Sequence, residues 1–157
     1  MRILVTGGTG FIGSHTCVEL LEAGYEIVVF DNFYNSKPEV VDTIKKITGK
    51  DFTFYQTDMM DMAAMNEIFD KHAIDAVIHF AGYKAVGESV EKPLMYYQNN
   101  LIGTMNLLEA MKAHGVKKLV FSSSATVYGT PERVPITEDF PLSVTNPYGR
   151  TKLMIED

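Results

Sequence analysis

One cysteine, Cys17, stands in a chain of 157 residues. That scarcity excludes a disulfide framework and any multi-cysteine metal site, and it suits a reducing compartment. Basic residues are outnumbered: 14 Lys and Arg face 20 Asp and Glu, for a net charge of −6. The positive excess that non-specific nucleic-acid binding draws on is therefore missing, and no nucleic-acid partner is expected. An anionic nucleotide remains admissible, because backbone N–H groups can supply the positive end of its site. Acidic residues form no cluster at ligand spacing, so no metal is expected. Long apolar runs are also lacking. The opening run ends at Gly7, far too short for a signal peptide or a membrane span. No membrane partner is expected, and the cytoplasm is the expected location. The chain contains no internal repeat, low-complexity tract or interdomain linker. What is present, 46% hydrophobic and 22% charged residues, is the make-up of a globular chain able to bury a core. The nine methionines read as core filler.

Short apolar β runs alternate with longer helical stretches. The spacing predicts strands at Ile3–Val5, Glu26–Phe30, Phe52–Gln56, Ala76–Phe80 and Leu119–Ser122. It predicts helices at Phe11–Ala23 (with Gly24 as the stop), Pro38–Thr48 (with Ser36 as a possible cap), Met60–His72 and Pro93–His114. Continuous apolar strands alternating with helices imply a parallel sheet covered on both faces. Right-handed crossovers make it a doubly wound α/β sheet of Rossmann type. Residues 129–147 carry Pro131, Pro135, Pro141 and Pro147 and read as a surface loop. Pro147 suits the first position of a last helix, Tyr148–Asp157, which runs out without a cap or a glycine. The whole reads as one domain over residues 1–157, and the abandoned last helix reads as a truncation.

Gly7, Gly10 and Gly13 directly follow the first strand and open a helix. Gly7 allows the tight turn, Gly10 lets the backbone approach a pyrophosphate, and Gly13 permits close packing of helix on strand. The helix start then offers free N–H groups and a partial positive charge to phosphates. Asp31 ends the second strand, where a carboxylate accepts hydrogen bonds from ribose hydroxyls and repels a 2′-phosphate. This points to NAD rather than NADP, although a solvated turn aspartate is the plainer alternative. Asp58, just past the third strand, reads either as an adenine neighbour or as the cap of the following helix.

Tyr148 and Lys152 form Tyr-x-x-x-Lys, and i and i+4 share one helix face. A phenol is a poor base near neutrality, with an unperturbed pKa of about 10. A neighbouring ammonium and an oxidised nicotinamide both favour the phenolate. The pair suits removal of a hydroxyl proton while hydride leaves the same carbon. Ser122-Ser123-Ser124 ends the fifth strand, and ligands bind at the carboxyl ends of parallel strands. Ser124 is the hydroxyl expected to bridge substrate oxygen and Tyr148. Local satisfaction of backbone groups is the alternative.

Four segments carry a resemblance: Asp31 to Ser36, His79 to Ser89, Ser122 to Gly129, and Asn146 to Lys152. Together with the Thr-Gly-x-x-Gly-x-x-Gly loop from Thr6 to Gly13, they resemble the UDP-glucose 4-epimerase family of extended short-chain dehydrogenases/reductases. The likeness covers the whole chain and is most specific over Lys84-Ala85-Val86-Gly87-Glu88-Ser89. It implies that Phe11 and Ile12 lie on the pyrophosphate of NAD, and that Asp31, Asn32, Asn35 and Ser36 surround the adenosine ribose. It implies that Asp58 and Met59 flank adenine, that Phe80, Ala81, Gly82 and Lys84 pass the nicotinamide side, and that Asn99 and Ser122 complete the cradle. Tyr148 and Lys152 would touch cofactor as well, with Lys84, Ser124 and Tyr148 on the substrate and Ser124, Tyr148 and Lys152 as the catalytic set. Plainer readings stay open: Asn99 and Asn100 as turn caps or water-facing residues, Lys84 as a solvated loop lysine, and His79 as a satisfied strand-end histidine.

The implied reaction is 4-epimerisation of a UDP-sugar, UDP-galactose or UDP-glucose, through a 4-keto sugar, with NAD unchanged at the end and therefore retained. The resemblance implies a homodimer built from the helix around Tyr96 to Met111 and the helix begun at Tyr148, although packing on the sheet explains the same apolar faces. The 4,6-dehydratases carry Asp-Glu directly after the hydroxyl residue, where this chain has Ala125-Thr126, so elimination of water is not expected. UDP-xylose, UDP-glucuronate and UDP-N-acetylglucosamine epimerases remain alternatives. A non-catalytic NAD-binding module would have no need for Tyr148 and Lys152. In the family the second half supplies the last strands and most UDP contacts, so the fragment alone is expected to be inactive.

Overall fold

A computed structural model describes all residues, Met1–Asp157. The elements in order are β1 (Arg2–Thr6), α1 (Phe11–Glu22), β2 (Glu26–Asp31), α2 (Glu39–Thr48), β3 (Thr53–Gln56), α3 (Met62–Lys71) and β4 (Ala76–His79). There follow α4 (Val86–Glu91), α5 (Pro93–Tyr96), a π-helix (Tyr97–Ile102), α6 (Gly103–Ala113), β5 (Leu119–Phe121), a 3₁₀ turn (Ala125–Tyr128) and α7 (Pro147–Glu156). No helix is long and apolar enough to cross a membrane.

The chain divides into two compact units, Met1–Ala81 with Asn106–Ser122, and Gly82–Met105 with Ser123–Asp157. The first holds the whole sheet, in the order β3-β2-β1-β4-β5, every pair parallel. Successive strand residues point to opposite faces, so each central strand feeds two cores. Leu4, Val28, Phe30 and Val77 pack with Met65, Ile68 and Phe69 of α3 and Leu107, Ala110 and Met111 of α6. Ile3, Val5, Ile27 and Val29 pack with Cys17 and Leu21 of α1 and Ile44 of α2. Both faces being covered explains why the strands read as unbroken apolar runs. The doubly wound parallel sheet expected from the sequence is the observed one.

The second unit is helical. α7 packs against α4, α5, the π-helix and the 3₁₀ turn. Its start is tied down donor by donor. Pro147 brings no N–H, Tyr148 N–H donates to Ser89 Oγ (3.2 Å), Gly149 N–H to Asn146 Oδ1 (2.7 Å) and Arg150 N–H to the Asn146 carbonyl (3.0 Å). Three of the four orphan positions of the helix N-terminus, 147 to 149, are thus accounted for, and Arg150 opens the intrahelical ladder.

Several expectations are corrected. The long helix predicted over residues 93–114 is three pieces with a π-helix in the middle, and a further helix, α4, precedes it. Ser36 does not cap α2: that position is Pro38, with no side-chain bond, and the Ser36 hydroxyl turns to Asp31 (3.3 Å) and Thr9 (2.8 Å) instead. Asp58 does not cap α3. Asp61 does so, accepting from Ala64 N–H at 3.0 Å. β5 ends at Phe121, one residue short of Ser122. The methionines are only partly core: Met59, Met65 and Met111 are buried, whereas Met60, Met105 and Met154 are exposed.

Candidate functional site

The first unit carries a phosphate-type loop. β1 delivers the chain to Gly7, which has φ +66°; a Cβ there would stand 2.6 Å from Ala81 N, where β4 ends. The loops leaving β1 and β4 therefore approach at the point where strand order reverses, the usual ligand crevice of such sheets. A Cβ on Gly13 would lie 2.3 Å from the Gly7 carbonyl oxygen and 2.8 Å from Gly8 Cα. Only glycine lets α1 come this close. The cap position of α1, Gly10, makes no side-chain bond, which leaves first-turn N–H groups to a ligand. Phe11 and Ile12 stand exposed beside them.

Asp31 is buried, at 7% exposure, and is not the solvated turn residue of the plainer reading. Its carboxylate accepts from Thr9 N–H (3.1 Å), Phe33 N–H (2.9 Å) and Ser36 Oγ–H (3.3 Å). It thereby ties the glycine loop to the 31–36 loop, and an ionised carboxylate with about four acceptor positions keeps one for a ribose hydroxyl. Asn32 Nδ2–H donates to Asp58 Oδ2 (2.6 Å), and Asp58 Oδ1 accepts from Met60 N–H (2.8 Å). Asn35 is exposed. Met59 is buried and its carbonyl accepts from Asn106 Nδ2–H at 3.0 Å. Phe80 and Ala81 donate their N–H groups to the Thr6 carbonyl (3.1 Å) and Thr6 Oγ1 (3.2 Å). His79 is a satisfied strand-end histidine, its Nδ1 hydrogen-bonded to Thr6 Oγ1 at 2.6 Å. Ser122 N–H extends the ladder to the His79 carbonyl at 3.1 Å. Burial, then the charge of Asp31, pushes the Cys17 thiol up to about 12, so it is an inert core group.

The second unit brings together Ser124, Tyr148, Lys152 and Lys84. Tyr148 is 7% exposed and Lys152 2%. The Lys152 ammonium sits 6.0 Å from the Tyr148 ring centroid, on the shared face expected from i,i+4 spacing. Burial pushes Lys152 down from the usual 10.5 to about 8, and the charge of Lys84 adds to this. Lys84 is exposed, yet near enough to act on Lys152. Ser124 caps the 3₁₀ turn: its Oγ accepts from Thr126 N–H (3.2 Å) and from Thr126 Oγ1–H (3.0 Å). No hydrogen bond joins Ser124 to Tyr148.

The supporting roles of three residues escape a sequence reading. Ser89, fully buried, holds the Tyr148 N–H while donating to the Val86 carbonyl at 2.6 Å. Asn100, in the π-helix, neither caps a turn nor faces water. Its Oδ1 accepts from Tyr83 N–H (2.8 Å) and Asn99 Nδ2–H (3.0 Å), and its Nδ2 donates to the Tyr83 carbonyl (3.0 Å) and Thr151 Oγ1 (3.1 Å). Thr151 passes the chain of bonds on to the Tyr148 carbonyl at 2.7 Å. π-Helical turns are frequent where a side chain is set for function. The one local signal available was Asn146-Pro147, a cap residue followed by proline at the first helical position.

The model of the GDP-mannose 4,6-dehydratase family matches residues 4–157. The chain belongs to that family. Among its relatives, this family member is 67% identical over 156 residues to the UDP-glucose 4-epimerase of Bacillus subtilis, covering 99% of this chain and 46% of that protein. It is 61% identical over 155 residues to the UDP-glucose 4-epimerase of Dictyostelium discoideum, covering 99% of this chain and 45% of that one. The chain thus spans about half the length of the curated relatives it matches. Its fold superposes on the UDP-glucose 4-epimerase from Bifidobacterium longum in complex with NAD⁺ and UDP with a TM-score of 0.97 at 54% identity, covering 99% of this chain and 47% of that one. The Brucella ovis UDP-glucose 4-epimerase in complex with NAD gives a TM-score of 0.90 at 44% identity, over 99% and 45%.

Lys152 carries a pH prediction for this family member. Its folded pKa, about 8, lies below the ordinary 10.5. Below pH 8 both folded and unfolded chains hold the proton, and the buried charge destabilises in full. Between the two values the unfolded chain keeps a proton that the folded chain has released, so this group's penalty shrinks as pH rises and is gone above 10.5. Lys152→Met is expected to raise stability by up to about 3 kcal/mol below pH 8. The gap between variant and parent should close on going to pH 10. Denaturation midpoints of the two at several pH values test this, and a pH-independent gap would contradict it.

Proposed function

We propose that this chain is the NAD-holding and proton-transferring part of a UDP-glucose 4-epimerase, which interconverts UDP-galactose and UDP-glucose through a 4-keto sugar. The observation that carries this reading is the buried Tyr148–Lys152 pair with Ser124 in the same compact unit. The residues of the first unit fit NAD: the glycine loop leaves the first-turn N–H groups of α1 for a pyrophosphate, and Asp31, with Asn32, Asn35 and Ser36, takes the ribose. Asp58 and Met59 take adenine, and Phe80, Ala81 and Ser122 complete the first unit's share of the cradle. When bound, NAD supplies reversible hydride acceptance at the sugar carbon. The protein's own work is proton transfer and orientation. Tyr148 accepts and returns the 4-hydroxyl proton, Lys152 stabilises negative charge on the phenol oxygen, and Ser124 holds the sugar oxygen.

The family is named for a dehydratase, but elimination of water needs an acid and a base beside the hydroxyl residue. Ala125 and Thr126 supply neither. The reading also includes a cytoplasmic homodimer. Leu94, Met105 and Met154, exposed at 75%, 59% and 48%, offer the apolar surface on α5, α6 and α7 for a second copy.

The deciding experiment uses the protein at the full length of its relatives, purified and given UDP-galactose with no added nucleotide. Formation of UDP-glucose is the expected result, with NAD released on denaturation and a dimer mass by sedimentation. An NAD-loaded protein that leaves UDP-galactose unchanged would overturn the substrate assignment, and a monomer would overturn the dimer.

A further inference from the structure

We propose, building on the epimerase reading, that Thr126 is a positioning residue: it holds Ser124 as a hydrogen-bond donor only, leaving the Ser124 proton for the sugar oxygen that Tyr148 deprotonates. A serine hydroxyl has one proton and two lone pairs. Thr126 engages both lone pairs of Ser124, through its N–H at 3.2 Å and its Oγ1–H at 3.0 Å. Only the Ser124 proton remains to be shared. A relay serine would have to accept the sugar proton while donating its own to the phenolate, which needs a vacant lone pair. A donor-only serine does something else. It bonds the substrate oxygen, and that bond strengthens as the oxygen gains charge or becomes a carbonyl.

The arrangement is built into the fold of the second unit. Ser124 caps the 3₁₀ turn Ala125–Tyr128, which directs Thr126 back onto it. The turn is held in place by Gly129 N–H, which donates to the Thr126 carbonyl at 3.2 Å. It also packs against the start of α7: a Cβ on Gly149, next to Tyr148, would lie 3.0 Å from the Thr126 carbonyl oxygen and 3.1 Å from its Oγ1. The resulting step balances without Ser124. The sugar 4-O–H bond breaks and a Tyr148 O–H bond forms, and bound NAD would be the hydride acceptor that oxidation at C4 requires. Ser124 keeps its own proton throughout. Thr126 is in this scheme a positioning residue, acting through Ser124.

The test uses the full-length holoenzyme and the kinetics of UDP-galactose conversion in T126V, T126S, S124A and S124A/T126V. T126V keeps the backbone N–H bond and the side-chain shape but loses the hydroxyl that fixes the Ser124 rotor. Its kcat is expected to fall about tenfold. Its KM is expected to stay within about twofold of the parent, with bound NAD unchanged. T126S should restore kcat. In the S124A background T126V should have no further effect, since the two residues act as one unit. A T126V kcat equal to the parent's, or the same loss with and without Ser124, would overturn the proposal. If T126V loses NAD, T126A replaces it under the same criteria. A parent that carries NAD but does not convert UDP-galactose overturns the epimerase reading and this proposal together, whereas an active parent with additive losses overturns this proposal alone.

Discussion

On the epimerase reading, replacing Tyr148 by Phe is expected to lower kcat of the protein at the full length of its relatives by about 10²–10⁴-fold, with NAD still bound and stability little changed. The reason lies in how Tyr148 is held. Its backbone N–H goes to Ser89, its carbonyl accepts from Thr151, and the cap of its helix is Asn146. None of these anchors uses the phenol oxygen, so Phe is expected to keep the packing and remove only the atom proposed to exchange a proton. The parent ring is 7% exposed and lies beside Lys152, and the Phe ring is expected to keep that place. Turnover of UDP-galactose is read together with NAD released on denaturation. Full turnover would remove Tyr148 from the chemistry. Loss of NAD along with turnover would make its role a structural one.

The second large effect is expected at the phosphate loop. Gly13→Ala places a methyl 2.3 Å from the Gly7 carbonyl oxygen and 2.8 Å from Gly8 Cα. Both neighbours are backbone atoms, so no side chain can swing aside, and either α1 lifts off the loop or the loop itself moves. Over-packing of this kind costs about 1–3 kcal/mol. A displaced loop also loses the first-turn N–H groups that would meet a pyrophosphate. The expected outcome is a lower melting temperature and a purified protein that retains little NAD. A G13A protein that melts with the parent and carries a full complement of NAD would show that the close approach does not matter. Gly87, whose Cβ would meet nothing within 4 Å and whose φ is not positive, serves as the matched control for a glycine outside the loop.

Much of the architecture follows from short-range pattern. Strands buried on both faces are apolar at every position, as Leu4, Val5, Val28 and Val29 are. That property is local, and so the alternation of β and α is legible, along with the parallel sheet it entails. The glycine spacing after β1 and the cap-and-proline start of α7 are local too. The boundaries that went astray have tertiary causes. The π-helix interrupts the 93–114 stretch where Asn100 meets Tyr83 and Thr151, and no periodicity marks such a partner. Asp58 and Asp61 are equally good cap residues in composition. What separates them is that Asn32 engages the first.

Taken alone, the amino-acid sequence determined the doubly wound sheet, the glycine loop at the end of β1 and the placing of Tyr148 and Lys152 on one helix face, because helix and strand periods fix these within a few residues. The tertiary structure alone decided the rest. It buried Lys152 and so pushed its ammonium down. It brought Ser89 to the Tyr148 N–H across 59 residues and Asn100 to Thr151 across 51. It turned Thr126 onto Ser124 through a 3₁₀ turn. Burial and hydrogen-bond partnership depend on which distant segments pack together, and that is a property of the folded chain as a whole.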